Sequence, residues 1–315
     1  MAVPKKKLTN ADLTRLVDTS EEWIESRTGM SVRYVAEEGE ATSDLAIPAG
    51  RDALSAAGIA PDEVDLVLVA TISPDMLFPS TACLVQHGLG CKRAGAFDVL
   101  AACTGYITVL ATAKAYIEAG LAQTVLVIGA DTITHYVDWE DRNTCVLFGD
   151  GAGATVVIAD TKPGLLSIDL GSDGGQPDLL KIPGGGSRIP PRRRDLPLSD
   201  LCLKMDGRAI FKLATRVMSE SLSKALERQN LHADQVNIVI PHQANVRILS
   251  AVAERLGIGF DRWMINIEKY GNTTAATIPI ALHEALQADR IKSGDLVAMV
   301  AFGGGLTWGT VLARW

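Results

Sequence analysis

The sequence predicts an α/β protein made of two similar halves, each with a largely buried sheet covered by helices. The first observation is that short apolar strands alternate with helical segments along the 315-residue chain, which is typical of sheets with helices on their faces. The second is an internal repeat, since residues 1–160 and 161–315 contain the same elements in the same order. We therefore expect two domains that divide at residue 160. The composition, 47% hydrophobic and 21% charged, is typical of a globular protein with a large core.

The repeat is visible when the predicted elements are placed in order. In the first half they are a helix at about 43–57, a strand at 64–69, a helix at about 79–89, a strand ending at Cys103, a helix at about 104–119 and strands at 124–128 and 154–158. In the second half they are a strand at 165–170, a helix at about 207–228, a strand at 236–240, a helix at about 245–256, a strand ending at Asn272, a helix at about 273–288 and strands at 296–300 and 307–312.

The second half thus opens with a strand that has no counterpart in the first half. We predict that the first strand of half one is missing. We interpret the gap as a coding start placed too far downstream, rather than as a sheet that is one strand short.

Cys103 is the candidate nucleophile, because it stands where an apolar strand ends and a small-residue helix begins. The positive end of a helix macrodipole favours a thiolate, so this position predicts a reactive thiol. The chain contains five cysteines and no C-x-x-C pair. That pattern fits neither a disulfide framework nor a zinc site.

His242 and Asn272 occupy comparable junctions in the second half, each between a predicted strand and a predicted helix. Ligands of doubly wound sheets bind beyond the carboxyl ends of the strands. Taken singly, a structural role explains each residue as well as a functional one does: His242 could be a buried core histidine and Asn272 a helix cap. Together with Cys103 they predict one common site.

The motifs around these residues resemble the β-ketoacyl-acyl-carrier-protein synthase III family, the initiating condensing enzymes of type II fatty acid synthesis. The matching segments are Ala101-Ala102-Cys103-Thr104-Gly105, Pro241-His242-Gln243-Ala244-Asn245 and Gly271-Asn272-Thr273, with 17–24, 27–29, 148–153 and 302–305. The resemblance implies a thiolase-like fold, in which two related βαβαβαββ halves with mixed sheets and buried central helices form five layers.

The same resemblance implies a mechanism for the predicted site. Cys103 would take an acyl group from an acyl-coenzyme A, with acetyl as the expected primer. Malonyl-acyl carrier protein would then lose carbon dioxide, and His242 and Asn272 would donate hydrogen bonds to the developing enolate. The resulting carbanion would attack the acyl group to give 3-oxoacyl-acyl carrier protein. The backbone N–H groups of Cys103 and Gly304 would form the oxyanion hole.

Binding residues are also implied by the resemblance. Trp23 and Arg142 would sandwich the adenine of coenzyme A, and Arg27 would contact phosphate oxygens. Gly207 and Asn245 match positions that line the pantetheine tunnel. Phe78 matches a residue that reaches the acyl pocket of a partner subunit, which predicts a homodimer. Carrier-protein docking would use basic residues on two helices, and these are Arg208, Lys212, Arg216, Arg247 and Arg255.

Composition and sequence pattern argue against several other classes. A net charge of −7 is unlike a general nucleic-acid binder, and no apolar stretch reaches the ~18 residues of a membrane span. Since the amino terminus has no apolar signal core, we expect a cytoplasmic protein. We expect no metal and no redox cofactor. The alternatives are a related ketosynthase or acyltransferase of specialised metabolism, a cysteine hydrolase using the same triad, and a non-catalytic homologue.

Overall fold

The computed structural model describes residues 1–162, 164–193 and 195–315. Its strands are β1 Lys6–Thr9, β2 Val32–Val35, β3 Leu66–Ala70, β4 Gly95–Val99, β5 Thr124–Asp131, β6 Gly151–Ile158, β7 Leu165–Ser172, β8 Leu180–Lys181, β9 Lys204–Met205, β10 Ile238–Pro241, β11 Leu296–Gly303 and β12 Thr307–Arg314. Its α-helices are α1 Asn10–Leu13, α2 Glu21–Thr28, α3 Thr42–Ala57, α4 Thr81–Leu89, α5 Gly105–Glu118, α6 Gly207–Arg228, α7 Val246–Leu256, α8 Ile267–Tyr270 and α9 Thr277–Gln287. The order of elements confirms the predicted repeat except for the strand predicted before Asn272.

Two four-stranded mixed sheets form the frame of the molecule. The first has the order β4-β3-β5-β6, in which only β6 runs antiparallel to its neighbour. The second has the order β10-β11-β12-β7, in which β10 and β11 are parallel and the other two pairs are antiparallel. The corresponding strands of the two sheets thus pair in the same way, and the predicted fold class is confirmed.

The edge of the first sheet shows where the repeat is incomplete. In the second sheet β7 lies along β12 as the outer strand. At the equivalent edge of β6, the described residues contribute one antiparallel bridge, between Ala2 and Ala152. This arrangement agrees with the prediction that the first strand of half one is missing.

The predicted strand before Asn272 is wrong. Within the described residues, this segment joins the second sheet by one parallel bridge, from Val239 to Trp263. The Gln243 side chain takes over the hydrogen bonds that a longer ladder would make. Its amide nitrogen donates to the Met264 carbonyl at 2.9 Å, and its amide oxygen accepts from the Asn266 N–H at 3.2 Å.

The largest core cluster lies between the two sheets and is shared by both halves. The central helices α5 and α9 contribute buried residues to it, together with strands of both sheets. Small residues let these elements approach closely: a Cβ at Gly105 would lie 2.9 Å from the Ala70 Cβ. The buried central helices are therefore confirmed, while the division into two domains at residue 160 stays a prediction.

Candidate active site

One cavity of about 1550 Å³ brings the three predicted catalytic side chains together, since Cys103, His242 and Asn272 all line it. They arrive from separate junctions: Cys103 lies just before α5, His242 just after β10, and Asn272 between α8 and α9. All three are almost fully buried, with exposed fractions of 6%, 2% and 6%. The convergence that the sequence predicted is present in the structure.

Cys103 sits in a tight turn, residues 102–104, directly ahead of α5. Its neighbour Ala102 has a φ of 47°, in the left-handed region that costs a non-glycine residue free energy. Gly303 packs against this turn so closely that a Cβ there would lie 2.9 Å from the backbone nitrogen of Cys103. The Thr104 hydroxyl lies 2.8 Å from the Thr307 hydroxyl, which ties the turn to the second sheet.

The predicted oxyanion-hole groups lie at the thiol. The backbone N–H groups of Cys103 and Gly304 lie beside the Cys103 sulfur and lower its pKa, which favours its charged form. Two N–H groups that converge beside a nucleophile are suited to an oxygen anion formed next to it.

Burial nevertheless keeps Cys103 protonated. Desolvation, the largest cause, and the buried Asp131 carboxylate raise the pKa of the thiol to about 12, and the two N–H groups only partly oppose this shift. The backbone groups at the helix start do act in the direction of a thiolate, but they do not decide the protonation state of Cys103. The electrostatic cost of burying the charge outweighs the favourable backbone dipoles.

Asn272 is oriented with its donor group free. Its amide oxygen accepts a hydrogen bond from the Thr274 N–H at 2.9 Å. Its own backbone is held by Leu147 and Gly149, at 2.9 and 3.1 Å. Among the described residues the amide nitrogen has no hydrogen-bond partner, and the side chain lines the cavity. A fixed oxygen and a free NH₂ group leave Asn272 prepared to donate into the cavity.

His242 is a neutral imidazole in this site. Burial lowers the pKa of its ring to about 3, although the Thr274 backbone favours the charged form. The ring Nδ1 lies 2.7 Å from the Thr277 hydroxyl, which in turn lies 3.0 Å from the Thr274 carbonyl oxygen. The direction of the Thr277 hydrogen bond therefore sets which ring nitrogen carries the proton.

The residues predicted to bind coenzyme A lie along the outer part of the cavity. Trp23, Arg27, Arg142, Gly207 and Asn245 all line it. The Arg142 guanidinium lies 4.9 Å from the Trp23 ring centroid and donates to the Asp18 carbonyl at 2.7 Å. A sandwiched ring needs about twice the ~3.5 Å contact distance, so Arg142 must shift before an aromatic group can enter.

The Asn245 side chain is engaged in local contacts. Its amide nitrogen donates to the Arg27 carbonyl at 2.9 Å, and its oxygen caps α7 by accepting from the Arg247 N–H at 2.9 Å. Gly207 begins α6, and a Cβ there would meet only the end of the Met205 side chain at 3.7 Å. The position thus has room for a methyl group.

The predicted docking residues are spread over a wider surface than the cavity mouth. Arg208 and Arg247 line the cavity, and Arg247 lies over the Phe211 ring at 5.9 Å. Arg216 lies 3.9 Å from Glu220 and lines a separate pocket of about 140 Å³. Lys212 on α6 and Arg255 on α7 are exposed and lie outside the lining of the cavity.

Phe78 lies outside the cavity as well. Its side chain is 84% exposed, and the adjoining Leu77 is 82% exposed. Leu100, which follows β4, is 79% exposed. Leu77 and Phe78 thus form part of the molecular surface rather than of the site of this one chain, whereas Leu100 is exposed and also lines the cavity.

Sequence reasoning missed the polar groups beneath the site. Asp131 is fully buried at the end of β5, and its carboxylate accepts hydrogen bonds from Thr274 and from residues of the 71–73 segment. A signal was available, because a carboxylate that ends an apolar strand occupies the same kind of junction as Cys103 and His242.

In the described part of the chain, we find no cluster of side chains that could hold a metal ion and no helix fit to cross a membrane.

Comparisons with known proteins agree with this geometry. The model of the family 3-oxoacyl-[acyl-carrier-protein] synthase III matches residues 97–174, and the model of its C-terminal part matches residues 226–315. A β-ketoacyl-[acyl-carrier-protein] synthase III of Roseiflexus castenholzii is 50% identical over 100% of this chain and 96% of its own length.

Solved structures give the same result. The 3-oxoacyl-[acyl-carrier-protein] synthase III of Aquifex aeolicus superposes with a TM-score of 0.93 at 46% identity, covering 100% of this chain and 97% of that one. A priming β-ketosynthase of a polyketide biosynthetic pathway has a TM-score of 0.93 at 32% identity, covering 99% and 93%. A full-length match at this identity, with the Cys-His-Asn cavity intact, means that the chain belongs to the β-ketoacyl-acyl-carrier-protein synthase III family of acyltransferases, the condensing enzymes that initiate fatty acid synthesis.

Proposed function

We propose that Cys103 accepts an acyl group from an acyl-coenzyme A, with acetyl as the primer. The sulfur displaces coenzyme A from the thioester carbon, and the proton lost by the thiol goes to the departing coenzyme A sulfur. The N–H groups of Cys103 and Gly304 stabilise the tetrahedral oxyanion. A thiol that stays protonated until the thioester arrives is consistent with this proton balance.

Malonyl-acyl carrier protein is the proposed second substrate. Loss of carbon dioxide leaves an enolate on its thioester, which is stabilised by hydrogen bonds from Asn272 and His242. The carbanion attacks the acyl-Cys103 carbonyl and 3-oxoacyl-acyl carrier protein forms. Cys103 leaves as a thiolate and then takes up a proton. The observation that carries this proposal is the Asn272 amide nitrogen, which has no hydrogen-bond partner among the described residues and faces the same cavity as the Cys103 sulfur.

The donor role of His242 selects one tautomer. A neutral ring can donate from Nε2 only when Nδ1 accepts from the Thr277 hydroxyl. These two atoms lie 2.7 Å apart. The Thr277 hydroxyl donates to the Thr274 carbonyl at 3.0 Å, so in this tautomer it turns its single hydrogen to Nδ1 instead.

Coenzyme A is proposed to bind along the outer cavity. Its adenine enters between Trp23 and Arg142, its phosphates lie near Arg27, and its pantetheine passes Gly207 and Asn245. The lining of the cavity by all five residues supports this path. The present 4.9 Å contact between Trp23 and Arg142 implies that adenine binding moves Arg142.

The carrier protein is proposed to dock on the basic residues around the cavity mouth. Arg208 and Arg247 are the best supported, since they line the cavity itself. Lys212, Arg216 and Arg255 extend the same surface along α6 and α7. Charge pairs across such a surface mainly steer association, so we propose a strong dependence of binding on salt.

We also propose a homodimer, in which Phe78 reaches the acyl pocket of the partner. The open edge of β4 and the exposed Leu77, Phe78 and Leu100 side chains support an interface on this side of the molecule.

The cytoplasm is the proposed compartment, a view that the five free cysteines support. The reaction as written transfers an acyl group and releases carbon dioxide, so it calls for no redox cofactor and no metal.

The test is intact-mass analysis after addition of acetyl-coenzyme A and then of malonyl-acyl carrier protein. We expect an acetyl adduct that is discharged with release of carbon dioxide and formation of acetoacetyl-acyl carrier protein. The adduct should be absent in Cys103→Ala and present in the control Cys83→Ala, which removes an exposed thiol outside the cavity. Asn272→Ala should form the adduct but discharge it slowly.

Two outcomes would overturn the proposal. Hydrolysis of the adduct without a condensed product would indicate a cysteine hydrolase. Failure of any short acyl-coenzyme A to label Cys103 would indicate a non-catalytic homologue.

A second candidate function is priming of a polyketide rather than of a fatty acid. The 32% identity to a priming β-ketosynthase supports it, less strongly than the 50% identity to a β-ketoacyl-[acyl-carrier-protein] synthase III supports the first. The same assay distinguishes the two, because a polyketide enzyme would discharge the adduct faster with its own carrier protein than with the fatty acid carrier protein.

A further inference from the structure

Asp131 is a buried carboxylate for which the reaction outlined above has no use. It ends β5 and is 0% exposed. One carboxylate oxygen accepts hydrogen bonds from the first half, including the Thr71 hydroxyl at 2.9 Å and the Ile72 N–H at 2.8 Å. The other oxygen accepts from the second half, from the Thr274 hydroxyl and the Ala275 N–H. Asp131 therefore fastens the turn after Asn272 to the first sheet.

Thr274 connects this carboxylate with both proposed hydrogen-bond donors. Its N–H donates to the Asn272 amide oxygen at 2.9 Å. Its carbonyl oxygen lies 3.0 Å from the Thr277 hydroxyl, which lies 2.7 Å from Nδ1 of His242. A movement of Thr274 would thus change the direction of the Asn272 NH₂ group and the contacts of the His242 ring together.

The turn needs an external restraint. Thr274 has a φ of 50°, a conformation that a β-branched residue rarely adopts. The turn also lies so close to β5 that a Cβ at Gly129 would be 2.3 Å from the Ala275 carbonyl oxygen. A buried charge-assisted hydrogen bond is strong enough to hold such a conformation in place.

We propose that Asp131 and Thr274 are positioning residues for the decarboxylation step, which hold Asn272 and His242 in the geometry that the enolate requires. This inference rests on the proposed roles of Asn272 and His242. It goes beyond them because it gives a carboxylate in the other half of the chain the task of orienting these two donors. Since Thr274 holds the two donors and not the Cys103 sulfur, its loss should slow decarboxylation while acylation of Cys103 continues.

The test compares the two half-reactions in the full-length enzyme. Acylation is followed by intact mass with acetyl-coenzyme A, and decarboxylation by carbon dioxide release from malonyl-acyl carrier protein. We expect Thr274→Ala to slow decarboxylation on the order of a hundredfold, the cost of a misplacement of about 1 Å, and to change acylation less than about threefold. Thr274→Ser keeps the hydroxyl and should restore decarboxylation.

Thr134→Ala is the matched control. Thr134 is also buried, and its hydroxyl also donates to a buried carboxylate, that of Asp150. It lies outside the lining of the cavity, so we expect a similar loss of thermal stability with both half-reactions unchanged. If Thr274→Ala does not fold, Asp131→Asn is compared in decarboxylation alone, because removing its charge also lowers the pKa of Cys103 and so affects acylation.

The outcomes separate this inference from the proposed function. If Asn272→Ala decarboxylates at the wild-type rate, the proposed role of Asn272 fails and the inference fails with it. If Asn272→Ala is slow while Thr274→Ala and Asp131→Asn are not, only the inference fails. Equal losses in both half-reactions, or the same selective loss in Thr134→Ala, would mean a general structural role and would also overturn it.

Discussion

The pKa values of Cys103 and His242 are shifted in opposite directions by the same physical cause. Burial disfavours the charged form of each, so the pKa of the thiol rises to about 12 and the pKa of the ring falls to about 3. A thiolate–imidazolium pair is thus disfavoured, and both groups are neutral near pH 7. Cysteine hydrolases rely on an activated nucleophile beside a base, and no hydrogen bond joins Cys103 to His242 among the described residues.

The reactivity of Cys103 should follow its raised pKa. We expect the rate of its alkylation by iodoacetamide to rise about tenfold per pH unit through pH 9, because only the thiolate reacts. Peptide mass analysis separates this modification from that of the exposed Cys83. Asp131→Asn removes a charge that raises the pKa of Cys103. In this variant the same rate of Cys103 alkylation should therefore be reached at a lower pH than in the wild type. A plateau below pH 8 in the wild type would contradict the protonated thiol.

The lowered pKa of His242 should make the free energy of unfolding depend on pH. Burial lowers the pKa of its ring to about 3 in the folded protein, against an ordinary value of 6.5. Its neutral form therefore contributes stability above pH 6.5, which is lost as the pH falls towards 3. Between pH 6.5 and 4.5, urea unfolding should show a steeper loss of stability in the wild type than in His242→Gln. If the free energies of unfolding of the two proteins fell in parallel with pH, this assignment would be contradicted. Contributions of other groups, such as Asp150, cancel in the difference between the two proteins.

At the level of elements, the site depends on how closely the turn after Asn272 packs on β5. Gly129 is the contact point, because its backbone faces Ala275 with no room for a side chain. The contact places a turn of the second half directly beside the strand that ends in Asp131. Strand, turn and carboxylate thus form one unit.

Gly129→Ala should disrupt this unit. The added methyl group would lie 2.3 Å from a carbonyl oxygen, so we expect a loss of about 1–3 kcal/mol in the free energy of unfolding by urea. The variant should also slow decarboxylation. Gly174→Ala is the control, since a Cβ there meets nothing within 4 Å. Equal stability of the two variants would show that the turn can move away from β5.

The elements show what the sequence could and could not reveal. Cys103 and Asn272 were predictable because the repeat placed both at equivalent junctions. The position of Asp131 at a strand end was visible in the sequence, but its role was not, because its partners Thr71 and Thr274 are 60 and 143 residues away and no local pattern gives the register between the two halves. The false strand before Asn272 has a physical reason too, since the Gln243 side chain satisfies the backbone groups that a strand would have paired.

On the scale of the whole molecule, the first sheet ends in an edge strand with apolar side chains beside it. β4 is the outer strand, and Asp98 on it accepts from the Thr81 N–H at 2.7 Å, which places the loop of Leu77 and Phe78 near this edge. Exposed apolar patches of this kind mark association surfaces. An open edge strand next to them can pair with a second copy.

We therefore expect sedimentation equilibrium to give twice the chain mass of 33.5 kDa. Leu100→Asp should weaken association by placing a charge in the interface. The control is Leu121→Asp, which changes a similarly exposed leucine, 70% against 79%, at the far end of α5. A monomeric wild type, or equal weakening by both variants, would contradict the proposed interface.

The hydrogen bonds that cross between the halves limit how this fold can be recombined. The turn of Cys103 is tied to the second sheet through Thr104 and Thr307, and the turn of Asn272 is tied to the first sheet through Thr274 and Asp131. Each half thus supplies the anchor for the reactive group of the other. A chimera that joins residues 1–160 of one relative to residues 161–315 of another inherits a working site only where both pairs of anchors match.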